Sequence, residues 1–314
     1  MLYQFLATIR APDGQPFTDR GGRVTAHLIG LLYRTTSWLE QQIRPVWVFD
    51  GRPPDLKAGT LRTRFQAKER AQEAWKEALA AGDLETARRK AAQTSRLTRP
   101  MIEEAVQVLH ALGLPTVQAP SEGEAEGARM AASGTVWASA SEDYDSLLFG
   151  TPRLVRGLAS RQARTGTRAA QLLERERLLA DLGISQEELI LIGLLIGTDF
   201  NDGARGYGPR KALKLVQQHL GWDATLRTAG IEPKDVEEAG EIFRNPPVVD
   251  VPRPVFGEPN ETDLLRLLVT EHDFSQDRVL GALHRIQSAP KRKATPLPTP
   301  GRQQLLDVGP GGAL

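Results

Sequence analysis

The sequence predicts an α/β fold with a mostly parallel sheet flanked by helices. Two observations carry this expectation. Short runs of β-forming residues alternate with helical patterns along the chain, the ordering that builds parallel sheets. Acidic residues stand where the apolar runs end, and in parallel sheets sites lie beyond the carboxyl ends of the strands. Composition agrees: 314 residues with 40% hydrophobic and 25% charged side chains exclude global disorder and an integral membrane protein. With no cysteine, disulfides, thiolate zinc sites and a cysteine nucleophile are excluded as well.

The elements follow in order. Met1–Leu6 lacks the basic stretch and long apolar run of a signal peptide, and reads as the inside of a helix. Val24–Glu40 places Leu28, Leu31, Leu32, Trp38 and Leu39 at helical spacing. Val46–Phe49 is a short buried strand that delivers Asp50 before an Asp-Gly and a Pro-Pro turn. Ile102–Leu112 is an amphipathic helix ended by Gly113, and Pro115–Val117 begins the next strand. Thr135–Ala140 is expected as another buried strand running into acids. Leu189–Gly197 is continuously apolar, far too short to span a bilayer, and reads as a buried helix ending at Thr198-Asp199. Glu261–Thr270 resumes a helix after a proline-punctuated stretch, and Pro290–Leu314, rich in Pro, Gly and Lys, reads as a disordered tail.

Between Arg52 and Pro100 twelve bases face six acids, a local excess of six positive charges in a chain whose net charge is +1. Apolar residues there are sparse, so the stretch reads as two helices joined near Ala81-Gly82-Asp83 and projecting from the body. A solvated hairpin is the plain interpretation of charge-rich helices. The basic excess points instead to phosphate contact.

Carboxylates gather at four places: Asp50; Glu122 and Glu124; Asp143 and Asp145; and Asp199. Any one of these pairs could be a helix cap or an exposed turn. As a set at the edge of a core they would repel one another, and a hard divalent cation is the usual remedy. Two such ions about 4 Å apart would clamp a phosphodiester for in-line attack by water. The five histidines show no zinc-pair spacing, and no phosphate-binding glycine loop occurs.

A second informative segment runs from Asp199 to Ala212. Gly206 and Gly208 permit a tight turn, and Pro209 suits the first turn of a new helix. The amides at that helix start, beside Arg210 and Lys211, suit one DNA phosphate and are blind to sequence.

These residues resemble the flap endonucleases of the structure-specific 5′ nuclease superfamily, the archaeal ones above all. The resemblance covers Tyr3 to about Arg285. It includes Tyr33-Arg34-Thr35, Val48-Phe49-Asp50-Gly51-Arg52-Pro53-Pro54, Ala119-Pro120-Ser121-Glu122-Gly123-Glu124-Ala125, Glu142-Asp143-Tyr144-Asp145, Gly197-Thr198-Asp199 and Arg205-Gly206-Tyr207-Gly208-Pro209. It implies a PIN-like α/β fold with a helical gateway and cap and a helix–two-turn–helix DNA-binding motif. The N-terminal nuclease region would cover 1–70, the cap 71–101, and the internal nuclease region 102–289 with the motif at about 196–225; the tail would be 290–314.

The implied chemistry is two-metal hydrolysis with Mg²⁺, for which Mn²⁺ could substitute. Asp50, Glu122 and Glu124 would serve the first ion; Asp143, Asp145 and Asp199 would surround the second. Lys57 and Arg64 would face the scissile phosphate, orient it and stabilise charge developing in the transition state, and Asp50 and Asp145 would be catalytic with them. Tyr3, Arg10, Arg34, Glu122, Gly206, Gly208, Arg210 and Lys211 would contact DNA, with K⁺ at the two-turn motif. The expected role is 5′ flap endonuclease and 5′→3′ exonuclease action in DNA replication and base excision repair, by a monomer in the prokaryotic, archaeal-type cytoplasm near the nucleoid. A junction-binding protein without catalysis and an RNA-directed nuclease are the alternatives.

Two departures from the family pattern stand out. A glycine-led segment and a first strand carrying another metal aspartate precede the Tyr3 motif in the family, so the expectation is a recorded start downstream of the true one. A chain that did begin at Met1 would lack a central strand and be impaired. In the tail, Gln303 and Leu306 fit a sliding-clamp motif, but Gly309 and Pro310 stand at its aromatic positions.

Overall fold

The computed structural model describes residues 1–158 and 170–289. The expected tail and its clamp-motif residues Gln303 and Leu306 lie outside the described residues. The chain opens with α1 (Leu2–Thr8) and α2 (Ala26–Glu40), whose apolar faces meet: Phe5 packs on α2, and Leu28, Leu31 and Leu32 are fully buried. β1 (Trp47–Phe49) follows and pairs in parallel with β2 (Thr116–Gln118), Val48 opposite Val117.

The connection between these two strands is long and helical. It holds α3 (Ala58–Ala80), α4 (Leu84–Ala92) and α5 (Arg99–Ala111). The turn between α3 and α4 falls at the expected Ala81–Asp83, where the Asp83 carboxylate accepts the Thr86 amide at 3.0 Å and caps α4. The hairpin has a small core of its own, Trp75, Ala78, Ala87 and Ala91. The first half of α3 buries nothing before Ala71.

α6 (Gly123–Ala132) follows β2. Next come β3 (Ser139–Ala140), α7 (Asp145–Leu148), β4 (Arg153–Arg156) and β5 (Gln171–Glu174). β3 and β4 run parallel, and β5 closes that ladder antiparallel. Among the described residues the five strands form two ladders, β1–β2 and β3–β4–β5. The expected strand over Thr135–Ala140 is reduced to its last two residues. Thr135 is instead hydrogen-bonded to Ser133 in a turn, and Trp137 lies at the surface under Arg153.

A helical region completes the chain. It comprises α8 (Arg175–Leu182), α9 (Gln186–Ile196), α10 (Pro209–Val216), α11 (Trp222–Thr228), α12 (Pro233–Arg244), α13 (Glu261–Leu264), which continues into a π-helical turn over Leu265–Thr270, and α14 (Gln276–Ser288). α9 starts with a capping box between Ser185 and Glu188, and its run of Ile190, Leu191, Leu194 and Leu195 is buried against α10 and α12. α14 returns to α2 and joins the first core. Among the described residues no helix is long and apolar enough to cross a membrane.

Candidate active site

The ends of β1 and β2 are drawn together by glycine. A β-carbon on Gly51 would lie 2.2 Å from the carbonyl oxygen of Ala119, so only hydrogen fits there. The Gly51 amide donates to the Ser121 carbonyl at 2.6 Å, which fixes Asp50 beside the start of α6. Asp50 accepts the Gly123 amide at 2.8 Å. A β-carbon on Gly123 would stand at the same distance from that carboxylate oxygen. Glu122 and Glu124 flank this glycine at the N-terminus of α6, where the helix dipole favours negative charge.

Glu124, Asp143 and Asp145 come closest together, each offering a carboxylate oxygen within 4.8 Å of the others. Ser141 donates to Glu124 and accepts the Asp143 amide at 3.0 Å, tying the loop after β3 to α6. Burial first, then the charges of Asp143, Asp145 and Asp50, push the Glu124 carboxyl up to about 8, although the Ser141 hydrogen bond opposes this. Burial, then Asp143 and Asp199, raises Asp145 to about 7. Between them, Glu124 and Asp145 feel each of the other four acids, and the Glu124, Asp143 and Asp145 cluster suits a divalent cation bound through oxygen.

The basic side is supplied by the foot of α3. Lys57 Nζ lies 2.7 Å from Glu122 and 3.2 Å from Asp199. Burial alone would lower its pKa, but these two acids outweigh burial and raise it. Arg64 donates to Asp199 at 2.6 Å, and the Thr60 hydroxyl donates to the Asp199 carbonyl at 3.0 Å. Lys57, Thr60 and Arg64 share one stripe of the helix. The α-amino group of Met1 also lies near Asp50, Glu124 and Glu142; its pKa is lowered, chiefly by burial.

The remaining sequence-predicted residues divide by place. Tyr3 sits on α1 at the surface with the Lys68 ammonium 4.5 Å from its ring centre. Arg10 donates to the carbonyls of Leu6 and Gly14 and to the Ser95 hydroxyl at 2.8–3.0 Å, bracing the end of α1 against the base of the hairpin. Arg34 is half-buried on α2. Gly206, Gly208, Arg210 and Lys211 lie together at the start of α10, where Gly208 precedes Pro209 and Lys211 stands 3.9 Å over Tyr207. Asn201 shapes the turn before them: its amide donates to the Leu194 carbonyl, and its oxygen accepts the Thr198 hydroxyl.

Sequence reasoning assigns no role to Thr60 or Ser141. Both lie within or beside acidic or basic motifs, but a hydroxyl's partner across the fold leaves no mark on spacing.

The XPG N-terminal domain matches residues 1–72 and the XPG I-region residues 113–199, which together hold all six acids, Lys57 and Arg64. Flap endonuclease 1 of Aeropyrum pernix is 45% identical over 98% of this chain and 90% of its own length. The chain belongs to the flap endonuclease family. Flap endonuclease 1 of Pyrococcus furiosus is 44% identical over 92% of this chain and 87% of its own. The structure of flap endonuclease-1 from Methanococcus jannaschii aligns with a TM-score of 0.71 and 39% identity, over 91% of this chain and 88% of that one. The expected PIN-like α/β fold is borne out by this likeness. Family membership makes the chain a metal-dependent nuclease and a structure-specific 5′ flap endonuclease of DNA replication and repair.

Proposed function

We propose that the chain binds a branched DNA junction and cuts near the base of its single-stranded 5′ flap with two Mg²⁺ ions. The observation that carries this reading is the meeting of six acids with Lys57 and Arg64 at the foot of a basic helical hairpin. Asp50, Glu122 and Glu124 would hold one ion, and Asp143, Asp145 and Asp199 the other. Bound divalent ions would supply neutralisation of the charge that gathers on the phosphate.

The chain's own groups do the rest. Lys57 and Arg64 exchange their carboxylate partners for the scissile phosphate, orient it, and stabilise charge developing in the transition state. The α3–α4 hairpin confines the flap, and Tyr3 offers its ring to a base beside the cut bond. The turn at Gly206 and Gly208, with Arg210 and Lys211, grips the duplex backbone, and K⁺ would sit there. Arg10 and Arg34 lie near the same DNA. Recognition is by backbone and shape, without base readout. The remaining expectations, a monomer near the nucleoid and a sliding-clamp contact through Gln303 and Leu306, belong to the same reading.

The test is cleavage of a 5′ flap substrate with Mg²⁺, with EDTA, and by Asp145→Ala. Cutting that needs the metal and Asp145, with flap binding retained in both other arms, is expected. Mg²⁺-dependent cutting by Asp145→Ala would overturn the site assignment.

A further inference from the structure

Beside the stripe that reaches Asp199, α3 carries a second one that reaches no core. Leu61, Phe65 and Lys68 recur at helical spacing, and Leu61 and Phe65 are 41% and 48% exposed. A large apolar side chain in such a basic helix is out of keeping with its neighbours, because the helix begins to bury residues only at Ala71. Phe65 follows Arg64 directly, and Arg64 is in contact with the acidic site. The Arg96 guanidinium stands 5.0 Å from the centre of the Phe65 ring, and the Lys68 ammonium 4.5 Å from that of Tyr3, itself 38% exposed. Among the described residues neither Lys68 nor Arg96 is paired with an acid. Two exposed aromatic rings thus each stand beside a cation that has no acidic partner among the described residues, and Lys68 of the Phe65 stripe links that stripe to Tyr3. Exposed rings interleaved with cations are what a single nucleic-acid strand needs, with bases on the rings and phosphates on the cations. An acidic or neutral partner surface would satisfy only half of this pattern.

We propose that Phe65, flanked by Leu61 and Arg96, is a stacking platform for a base of the single-stranded flap next to the acidic site. The proposal rests on the flap reading above and adds to it a residue that sets how far along the flap the protein holds on. It predicts tolerance of any base, because every base has a face to stack.

The experiment measures flap-DNA binding by fluorescence anisotropy in EDTA, using flaps in which a single abasic nucleotide is moved along the strand. Phe65→Ala should weaken binding to the intact flap about 5- to 150-fold, the range that loss of one stacked base implies. One abasic position should weaken the wild-type protein to a similar degree and leave Phe65→Ala unchanged, the non-additivity that marks a direct contact. Phe65→Trp should restore binding. In the unmodified protein, 2-aminopurine at that position should be quenched on binding, a reading that does not depend on any variant folding. Wild-type cutting of flaps, combined with a Phe65→Ala variant that binds as tightly as wild type or with no quenching at any position, would overturn this platform and leave the flap reading standing. Wild-type protein that neither binds nor cuts flap DNA would overturn both.

Discussion

Lys57 is the residue on which the site turns. It spans Glu122 and Asp199, two acids that arrive from sequence positions far apart, and both contacts are short enough for charged hydrogen bonds. Lys57→Ala should lower the single-turnover cleavage rate about 10²- to 10³-fold with little change in flap affinity, the usual loss when one donor to a developing charge is removed. Rapid-quench kinetics against anisotropy separates the two effects. Asp50, Asp143, Asp145 and Asp199 are legible as candidates because each follows an apolar run or stands in a short acidic motif. Their grouping is not legible. The family resemblance implies one set of three on each ion, whereas Glu124 lies within 4.8 Å of both Asp143 and Asp145. Ser141 explains part of this, since its hydroxyl draws Glu124 toward the loop after β3.

At the scale of elements, the helical hairpin is the part most readable from composition, because its charge excess and its Ala-Gly-Asp turn both survive into the structure. Its internal support is less visible. Trp75 is the one large side chain among Ala78, Ala87 and Ala91. Trp75→Ala should remove about 3–5 kcal/mol of local packing. Amides of 71–92 should then exchange faster with solvent while those of α9 to α12 do not, as hydrogen-exchange mass spectrometry would read. Flap cleavage should fall with the loss of the hairpin. The weakest expectations concern strands. Thr135–Ala140 has the composition of a strand, yet local hydroxyl bonding and the Arg153–Trp137 contact hold most of it in a turn. β4 and β5 escape notice because four-residue strands carry too little alternation to register.

For the whole molecule, charge placement decides behaviour in solution. A near-neutral chain with its bases concentrated on one arm should still lose DNA affinity steeply with salt, and the slope of log K against log salt counts the phosphates released from counterions. Acid sensitivity has a separate origin in the first core. His27 is fully buried, 3.2 Å from Glu104, and its Nδ1 has no partner among the described residues. Burial, then the charge of His272, pulls its pKa down to about 4. The unfolded chain takes up that proton near pH 6.5. The neutral ring's contribution is thus whole above pH 6.5 and fades as pH falls toward 4, by on the order of 3 kcal/mol. Burial raises Glu104, which works in the opposite direction and offsets part of this. Denaturant melts between pH 7 and pH 4.5 should show a smaller pH-dependent loss in His27→Gln than in the wild type.

The lysine bridge also bears on the order of events when the protein is made. A pocket of six carboxylates would resist closing before any ion arrived. Lys57 stands in as an internal counter-ion to Glu122 and Asp199, so folding should not have to wait for an ion. The folded chain should therefore survive removal of its metal. Lys57→Ala should lose that tolerance: its melting temperature with EDTA should drop, and added Mg²⁺ should raise it by more than it raises the wild type.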